Sequence, residues 1–158
     1  MTAAARGGAA APEKAQRLDE WVRRIEANTS LLAAMGGVQE WAYESPADDS
    51  GQPFRIAIPT DYDPAHPAPL KVYMHGYSGN HIEHSDGMHA HPGSFDIAVL
   101  GRSRGGGYRA LSEADVLQAA EYVEAHWAID PGRVSLNGGS MGGGGTYRLG
   151  ARYPHLWS

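Results

Sequence analysis

The segment Gly138-Gly139-Ser140-Met141-Gly142 holds the residues of this chain best suited to covalent chemistry. It is a G-x-S-x-G pattern, which places a serine on a sharp turn between a strand and a helix. Such a turn predicts a positive φ for Ser140, and the outer glycines leave space that two side chains would otherwise fill. The turn projects the Ser140 hydroxyl beside a helix start, whose dipole favours a developing negative charge, so Ser140 is predicted to be a nucleophile. A chance match is the alternative, because Gly142–Gly145 is a glycine run.

A serine that takes part in acyl transfer needs two hydrogen-bond donors for the oxyanion. The backbone N–H of Met141, directly after the serine, is the first predicted donor. The second is expected in the loop after an earlier strand, and the predicted strand Leu70–His75 runs into His75-Gly76-Tyr77. The glycine lets a substrate approach the backbone closely, so the Tyr77 N–H is the second predicted donor, with His75 and Gly76 expected at the substrate. An ordinary glycine-containing turn is the alternative.

The loop Gly101–Gly107 combines arginine with glycine, which suits an anionic group. Arg102 and the nearby Tyr108 are therefore predicted to contact substrate. No Lys-Ser or Lys-Thr pair follows the glycines, so a nucleotide-binding loop is not predicted. Asp115 and Asp130 are interpreted as helix-start and turn residues rather than as a catalytic acid.

Four histidines crowd the loop between residues 76 and 94, together with Glu83 and Asp86: His81, His84, His89 and His91. Their H-x-x-H and H-x-H spacings could hold Zn²⁺. The segment has no predicted helix or strand to fix ligand directions, so a solvated loop at a substrate entrance is preferred. We predict no metal and no cofactor, and keep a metal-binding module built on this loop as an alternative function.

Hydrophobic periodicity and turn residues divide the chain into three parts. Residues 1–12 are predicted to be a disordered leader, and residues 13–37 an amphipathic helix followed by glycines. Residues 38–158 are predicted to form an α/β domain, a mostly parallel sheet flanked by helices. Its predicted strands are 38–43, 54–58, 70–75, 95–100 and 134–137, and its predicted helices run from the N-cap Ser112 to near Trp127 and over 146–153.

Two stretches of this domain carry a resemblance to a known superfamily. LKVYMHGYSGN and EADVLQAAEYVEAHWAIDPGRVSLNGGSMGGGGTYRLGARYP are similar to α/β-hydrolases of the esterase and prolyl-oligopeptidase-like branch. The resemblance implies an α/β-hydrolase fold over roughly residues 54–158. It implies serine hydrolysis through an acyl-enzyme on Ser140, with Met141 and Tyr77 as oxyanion donors. Small carboxylic esters are the predicted substrates, and peptides, as for a prolyl-oligopeptidase-type serine peptidase, are the alternative.

In this superfamily the catalytic acid and base follow the serine on later strands. Here 18 residues follow Ser140, and His155 lies at the end of the predicted helix, so no acid or base is assigned. The strand 134–137, central in the superfamily, would be an edge. We therefore expect a partial fold that the C-terminal half of a hydrolase completes in cis or in trans, and an isolated chain close to inert. A non-catalytic or split-subunit chain is a further alternative.

The composition disfavours several classes of partner. A formal net charge of −5 argues against nucleic acid, whose phosphates require a basic face. The chain has no Cys, which removes disulfides and thiolate sites. No apolar run approaches the about 18 residues of a membrane span, so no membrane partner is predicted. The compartment stays open, with the cytoplasm preferred because the first residues lack the apolar stretch of a signal peptide.

Overall fold

A computed structural model describes Gln16, Arg23 and residues 36–83 and 87–158. The predicted leader and nearly all of the predicted helical region 13–37 lie outside the described residues. Over the described part of the chain, no helix is both long enough and apolar enough to cross a lipid bilayer.

A five-stranded sheet forms the centre of the domain, with the strand order β1-β2-β4-β3-β5. The hairpin of β1 and β2 is antiparallel, as is the β2–β4 pair, whereas β3 pairs with both β4 and β5 in parallel. The sheet is therefore mixed, and the carboxyl ends of β3, β4 and β5 share one edge. Helix α1 follows β4 and helix α2 follows β5. The bounds are β1 Gly37–Ser45, β2 Ser50–Ile58, β3 Ala68–Met74, β4 Phe95–Val99, α1 Leu111–His126, β5 Ile129–Gly138 and α2 Met141–Arg152.

β2 and β5 begin well before their predicted starts, at residues where the sequence predicts turns. β2 begins at Ser50, since the hairpin turn closes at once through the Asp49 N–H, which donates to the Ser45 carbonyl at 2.8 Å. β5 begins at Ile129, and the predicted Asp130-Pro131-Gly132 turn is an irregularity within it, where the register against β3 shifts. The Gly132 N–H donates to Asp130 Oδ1 at 2.9 Å and stabilises that irregularity.

One face of the sheet is apolar, because alternate residues of its strands are fully buried. On β3, Leu70, Val72 and Met74 are buried while Lys71 between them is exposed. This alternation is the two-residue period of a strand that buries a single face. The buried strand residues form one cluster with apolar residues of both helices, such as Leu149 of α2. The core therefore lies between this face of the sheet and the two helices.

Glu113, in the first turn of α1, ties the two helices together. Its side chain is only 7% exposed and accepts a hydrogen bond from the Tyr153 hydroxyl at 2.6 Å. Arg148 Nε lies 3.2 Å and Arg152 Nη1 3.3 Å from the same carboxylate. Burial raises the pKa of Glu113, but the hydrogen bonds from Tyr153 and Arg148 outweigh it and hold the pKa below its usual value.

Asp115, two residues further along α1, ties the hairpin to the loop after β4. Its buried carboxylate accepts hydrogen bonds from the Tyr43 hydroxyl of β1 and, at 2.7 Å, from the Gly101 N–H. Burial raises the pKa of this carboxyl. Asp115 is thus a structural acid at a helix start, in agreement with its interpretation from the sequence. The predicted N-cap Ser112 is wrong, since Ala110 occupies that position and Ser112 lies within the helix.

β5 forms one edge of the sheet, as expected for the predicted strand 134–137. The Ser158 N–H donates to the Val134 carbonyl at 2.8 Å, so the tail crosses the outer side of the strand near its middle. From Val134 to Gly138, no other described residue pairs with that side. Unpaired strand edges of this kind readily accept a further strand.

Replacing Glu113 by Gln tests the link between the helices. We expect the variant to lose about 1–2 kcal/mol of unfolding free energy at neutral pH, since charged hydrogen bonds are lost while the shape is kept. Because the folded pKa of Glu113 is lowered, its contribution is present above the ordinary glutamate value of 4.5 and is lost as pH falls through the folded value. Urea unfolding at several pH values measures the difference.

The exposed Glu44 of β1 provides the control, because its replacement by Gln removes the same charge without a buried contact. The gap in unfolding free energy between the Glu113→Gln variant and the unchanged protein should narrow as the pH falls below the ordinary glutamate value of 4.5. A gap that stays constant with pH would contradict the assignment of the Glu113 charge to this link.

Candidate active site

Ser140 occupies the sharp turn between β5 and α2, with φ 53° and ψ −117°. The positive φ predicted for this residue is confirmed, in a region that side-chain-bearing residues rarely adopt. A serine at a helix start normally caps the first turn through its oxygen. Here Ser140 makes no such cap bond and is exposed. The turn thus presents the hydroxyl at the sheet edge where β3, β4 and β5 end.

The turn fits against the end of β3 only because two of its residues are glycines. A Cβ on Gly142 would lie 1.9 Å from the Met74 carbonyl oxygen and 2.9 Å from that of His75. A Cβ on Gly138 would lie 2.6 Å from the Gly142 carbonyl carbon and 2.8 Å from the Met74 oxygen. Real Cβ atoms do not approach backbone this closely, so the predicted need for space at both positions is confirmed. Gly139, in contrast, has open space around it.

The loop after β3 begins at this contact and carries the second predicted donor. Tyr77 follows His75 by two residues, and its side chain is 73% exposed. No described residue accepts a hydrogen bond from the backbone N–H of Tyr77 or from that of Met141. Two unengaged N–H groups therefore lie on the two segments that Gly142 brings together.

His75 and Gly76, predicted to contact substrate, are both buried. The His75 ring nitrogens lie 2.7 Å from the Gly76 carbonyl oxygen and 2.8 Å from the Leu100 carbonyl oxygen. The imidazole therefore joins the ends of β3 and β4. The His75 side chain is therefore buried against these two strand ends and does not lie on the protein surface.

Arg104 fastens the same loop from outside, a contact that the sequence analysis missed. The Ser78 N–H donates to the Arg104 carbonyl at 2.7 Å, and Arg104 Nη1 donates to the Ser78 carbonyl at 3.0 Å. Arg104 Nη2 also lies 2.6 Å from Glu83 Oε1. The only signal in the sequence was an arginine within the glycine run.

The guanidinium of Arg102 is engaged by groups of the protein itself, and its predicted contact with a substrate stays a prediction. Its side chain is 11% exposed and is directed at the β1–β2 turn. Its guanidinium donates to Asp48 Oδ2 at 2.6 Å, to Ser50 Oγ at 3.1 Å and to Ser45 Oγ. Hydrogen bonds from Ser50 and then Arg102 hold the pKa of Asp48 below its usual range. The arginine therefore joins the loop after β4 to the hairpin.

Tyr108, the other predicted substrate contact of this loop, is a buried residue. Only 1% of its surface is exposed, and its hydroxyl donates to the His75 carbonyl at 3.1 Å. Burial raises the pKa of Tyr108, so the hydroxyl keeps its proton and remains a donor. Its ring lies below the site, against the start of α2.

The described histidines of the loop after β3 differ in burial and in their contacts. His81 is buried, and burial lowers its pKa. His89 is exposed, whereas His91 Nε2 lies 2.7 Å from Asp96 Oδ2. His84 falls outside the described residues. Within the part of the chain that the structure describes, no three potential ligands gather for a metal ion.

Solved structures resemble this chain, although no protein-family model and no curated protein matches it. The fluorophosphonate-binding serine hydrolase FphF of Staphylococcus aureus has a TM-score of 0.64 at 16% identity, over 78% of this chain and 55% of that chain. A ferulic acid esterase of Anaeromyces mucronatus has a TM-score of 0.61 at 17% identity, over 76% and 54%. The chain has part of the α/β-hydrolase fold.

The same α/β-hydrolase arrangement occurs within a larger protein, oligopeptidase B of Trypanosoma brucei. The TM-score is 0.58 at 17% identity, over 76% of this chain and 19% of that chain. In each of the three comparisons the chain spans little more than half of the solved chain, or less. The likeness establishes the partial fold, and the predicted site residues fall on the turn and loops described above.

Two single-methyl substitutions in α2 test the close approach of the elbow to β3. Gly142→Ala is expected to lower the unfolding free energy by about 3 kcal/mol or more, because its Cβ would collide with backbone. Gly144→Ala, which has open space, is expected to raise it by about 0.5–1 kcal/mol through better helix propensity. Chemical unfolding of both variants checks the pair. Equal effects at the two positions would show that the packing is not as described.

Proposed function

We propose that this chain is the nucleophile half of a serine hydrolase that acts on carboxylic esters through an acyl-enzyme on Ser140. The proposal rests on one arrangement. An exposed serine with φ 53° stands on a turn that packs, through Gly142, against the loop carrying Tyr77. The Ser140 hydroxyl precedes one unengaged N–H in the chain and stands on a turn packed against the loop that carries the other, an arrangement that suits attack on a carbonyl carbon. The α/β-hydrolase fold is consistent with this chemistry, although the fold alone does not determine it.

In the proposed reaction, Ser140 Oγ attacks the ester carbonyl carbon and its proton passes to a base. The carbonyl oxygen becomes an oxyanion, which the N–H groups of Met141 and Tyr77 stabilise. Collapse of this intermediate breaks the bond to the alcohol oxygen, and the alcohol leaves with a proton. Water then hydrolyses the acyl–serine ester, releasing the carboxylic acid and restoring Ser140. A single donor of this kind is worth about 10²–10³-fold in rate.

The base and acid are proposed to come from the C-terminal half of a hydrolase, joined in cis or in trans. No described residue places an imidazole or carboxylate in hydrogen-bond contact with Ser140. The His75 ring is occupied by the carbonyl groups of Gly76 and Leu100. The free outer side of β5 beyond Val134 is where this half would add its first strand. Without a base, the hydroxyl is a weak nucleophile.

Labelling with a fluorophosphonate, read by intact mass, tests the nucleophile. The serine oxygen forms a bond to phosphorus, the phosphorus–fluorine bond breaks, and fluoride leaves while the hydroxyl proton passes to a base. The reaction is followed on this chain alone and on a full-length or co-expressed completed form. We expect one adduct, on Ser140, formed rapidly in the completed form and slowly in the isolated chain.

Ser140→Ala should abolish the adduct, whereas the matched change Ser135→Ala on β5 should leave it intact. Absence of an adduct in both forms would overturn the proposal and favour a binding role. With an adduct in hand, p-nitrophenyl esters and proline p-nitroanilides compare ester with peptide chemistry. Faster cleavage of the anilides would favour the peptidase alternative.

A further inference from the structure

We infer that Tyr108 is a positioning residue that sets the spacing between the Tyr77 loop and the Ser140 helix. This inference rests on the proposed function, because it assigns the residue that holds the two oxyanion donors in place. Tyr108 belongs to the loop after β4 and is remote in sequence from both segments. It nevertheless contacts both the loop that carries Tyr77 and the helix α2 that follows Ser140.

The hydroxyl of Tyr108 provides the first contact. It donates to the His75 carbonyl at 3.1 Å, two residues before the predicted donor Tyr77. The same carbonyl oxygen lies 2.9 Å from where a Cβ of Gly142 would be. The acceptor of the tyrosine hydroxyl is therefore part of the backbone contact that aligns the elbow with the loop.

The ring of Tyr108 provides the second contact, because it packs against two glycines in a space that any side chain at those positions would fill. A Cβ on Gly145, in the second turn of α2, would lie 2.7 Å from ring atom Cδ2. On the other side, a Cβ on Gly101 would lie 2.7 Å from Cε1. The ring is thus clamped between α2 and the end of β4. Such tight packing leaves little freedom for either segment to shift.

The backbone of Tyr108 is itself strained, with φ 52°. A non-glycine residue in this region carries a conformational cost, and it persists where surrounding contacts determine it. The His75 ring packs edge-on against the Tyr108 ring, with centroids 5.7 Å apart. The two rings therefore pack together with Gly101 and Gly145 in one tightly packed group, which contacts both segments that carry the predicted donors.

Removing the Tyr108 hydroxyl should loosen the loop without removing any group that touches the substrate. Tyr108→Phe keeps the ring between Gly101 and Gly145 and loses only the bond to His75. A buried hydrogen bond and a small displacement of reacting groups together correspond to about 10- to 100-fold in rate. The loss should appear in the rate constant of phosphonylation at Ser140 and not in the half-saturating probe concentration.

The matched control is Tyr62→Phe. The Tyr62 hydroxyl accepts a hydrogen bond from the Ala128 N–H at 3.0 Å, at the start of β5 and away from the elbow. Both variants lose one tyrosine–backbone hydrogen bond, so a merely structural role would affect them alike. Amide hydrogen exchange of residues 75–79 adds a readout independent of reactivity. Exchange there should accelerate in Tyr108→Phe and stay unchanged in Tyr62→Phe.

Gly145→Ala supplies a second route, because its methyl displaces the ring while the hydroxyl and Ser140 remain. It should slow labelling and accelerate exchange at residues 75–79, whereas Gly144→Ala should do neither. If Tyr108→Phe does not fold, this pair decides the question. Labelling and exchange that match those of the controls would overturn the inference even where Ser140 reacts. If the unchanged protein is not labelled, the proposed function fails. Faster amide hydrogen exchange at residues 75–79 in Tyr108→Phe would then still show that Tyr108 holds this loop in place.

Discussion

The backbone contact of Gly142 with the carbonyl groups of Met74 and His75 sets the geometry of the whole sheet edge. It joins two segments that lie far apart in the chain. The parallel register of β3 and β5, which pairs Met74 with Gly138, brings their ends level. The absence of side chains at Gly138 and Gly142 then lets the turn close on the end of β3. This close approach determines where Ser140 stands, how α2 is directed and where the loop that carries Tyr77 begins.

Polar groups stabilise the arrangement from three directions. Arg104 and Tyr108 form hydrogen bonds with the loop that carries Tyr77, and Glu113 accepts a hydrogen bond from Tyr153 at the end of α2. Asp115 joins the hairpin to the end of β4. Each is a long-range contact with backbone or with another element. The apolar core supplies the driving force for folding, whereas these contacts select one relative placement of loops and helices.

The sequence predicted the elements whose signals are local. Strands β3 and β4 lie within a residue or two of their predicted bounds, because short apolar runs between turn residues identify buried strands. The strained turn at Ser140 followed from the spacing of two glycines. Helix α2, however, begins at Met141 rather than Thr146, since tertiary packing overrides the poor helix propensity of the run Gly142–Gly145.

The sequence does not predict side-chain contacts whose partners are distant in the chain. Arg102 and Tyr108 lie in a loop at the sheet edge where Ser140 stands, which is why the sequence predicts that both contact substrate. Their partners are Ser45, Asp48 and Ser50 in one case and the His75 carbonyl in the other. Nothing in the local residue pattern specifies such partners. The type of residue indicates which bonds it can make, but only the fold determines which groups come within reach.

Ala110, at the start of α1, has φ 51° and ψ −119°, nearly the same backbone conformation as Ser140. Both helices therefore begin at a residue with a strained backbone. At α2 this residue carries a hydroxyl group, and at α1 it carries only a methyl group. A change to glycine at either position would remove the backbone strain of a positive φ, so both changes are expected to stabilise the fold. Only at Ala110 would a change to glycine leave the proposed nucleophile in place. The molecule therefore contains one strained turn that only begins a helix and one that also carries the proposed nucleophile.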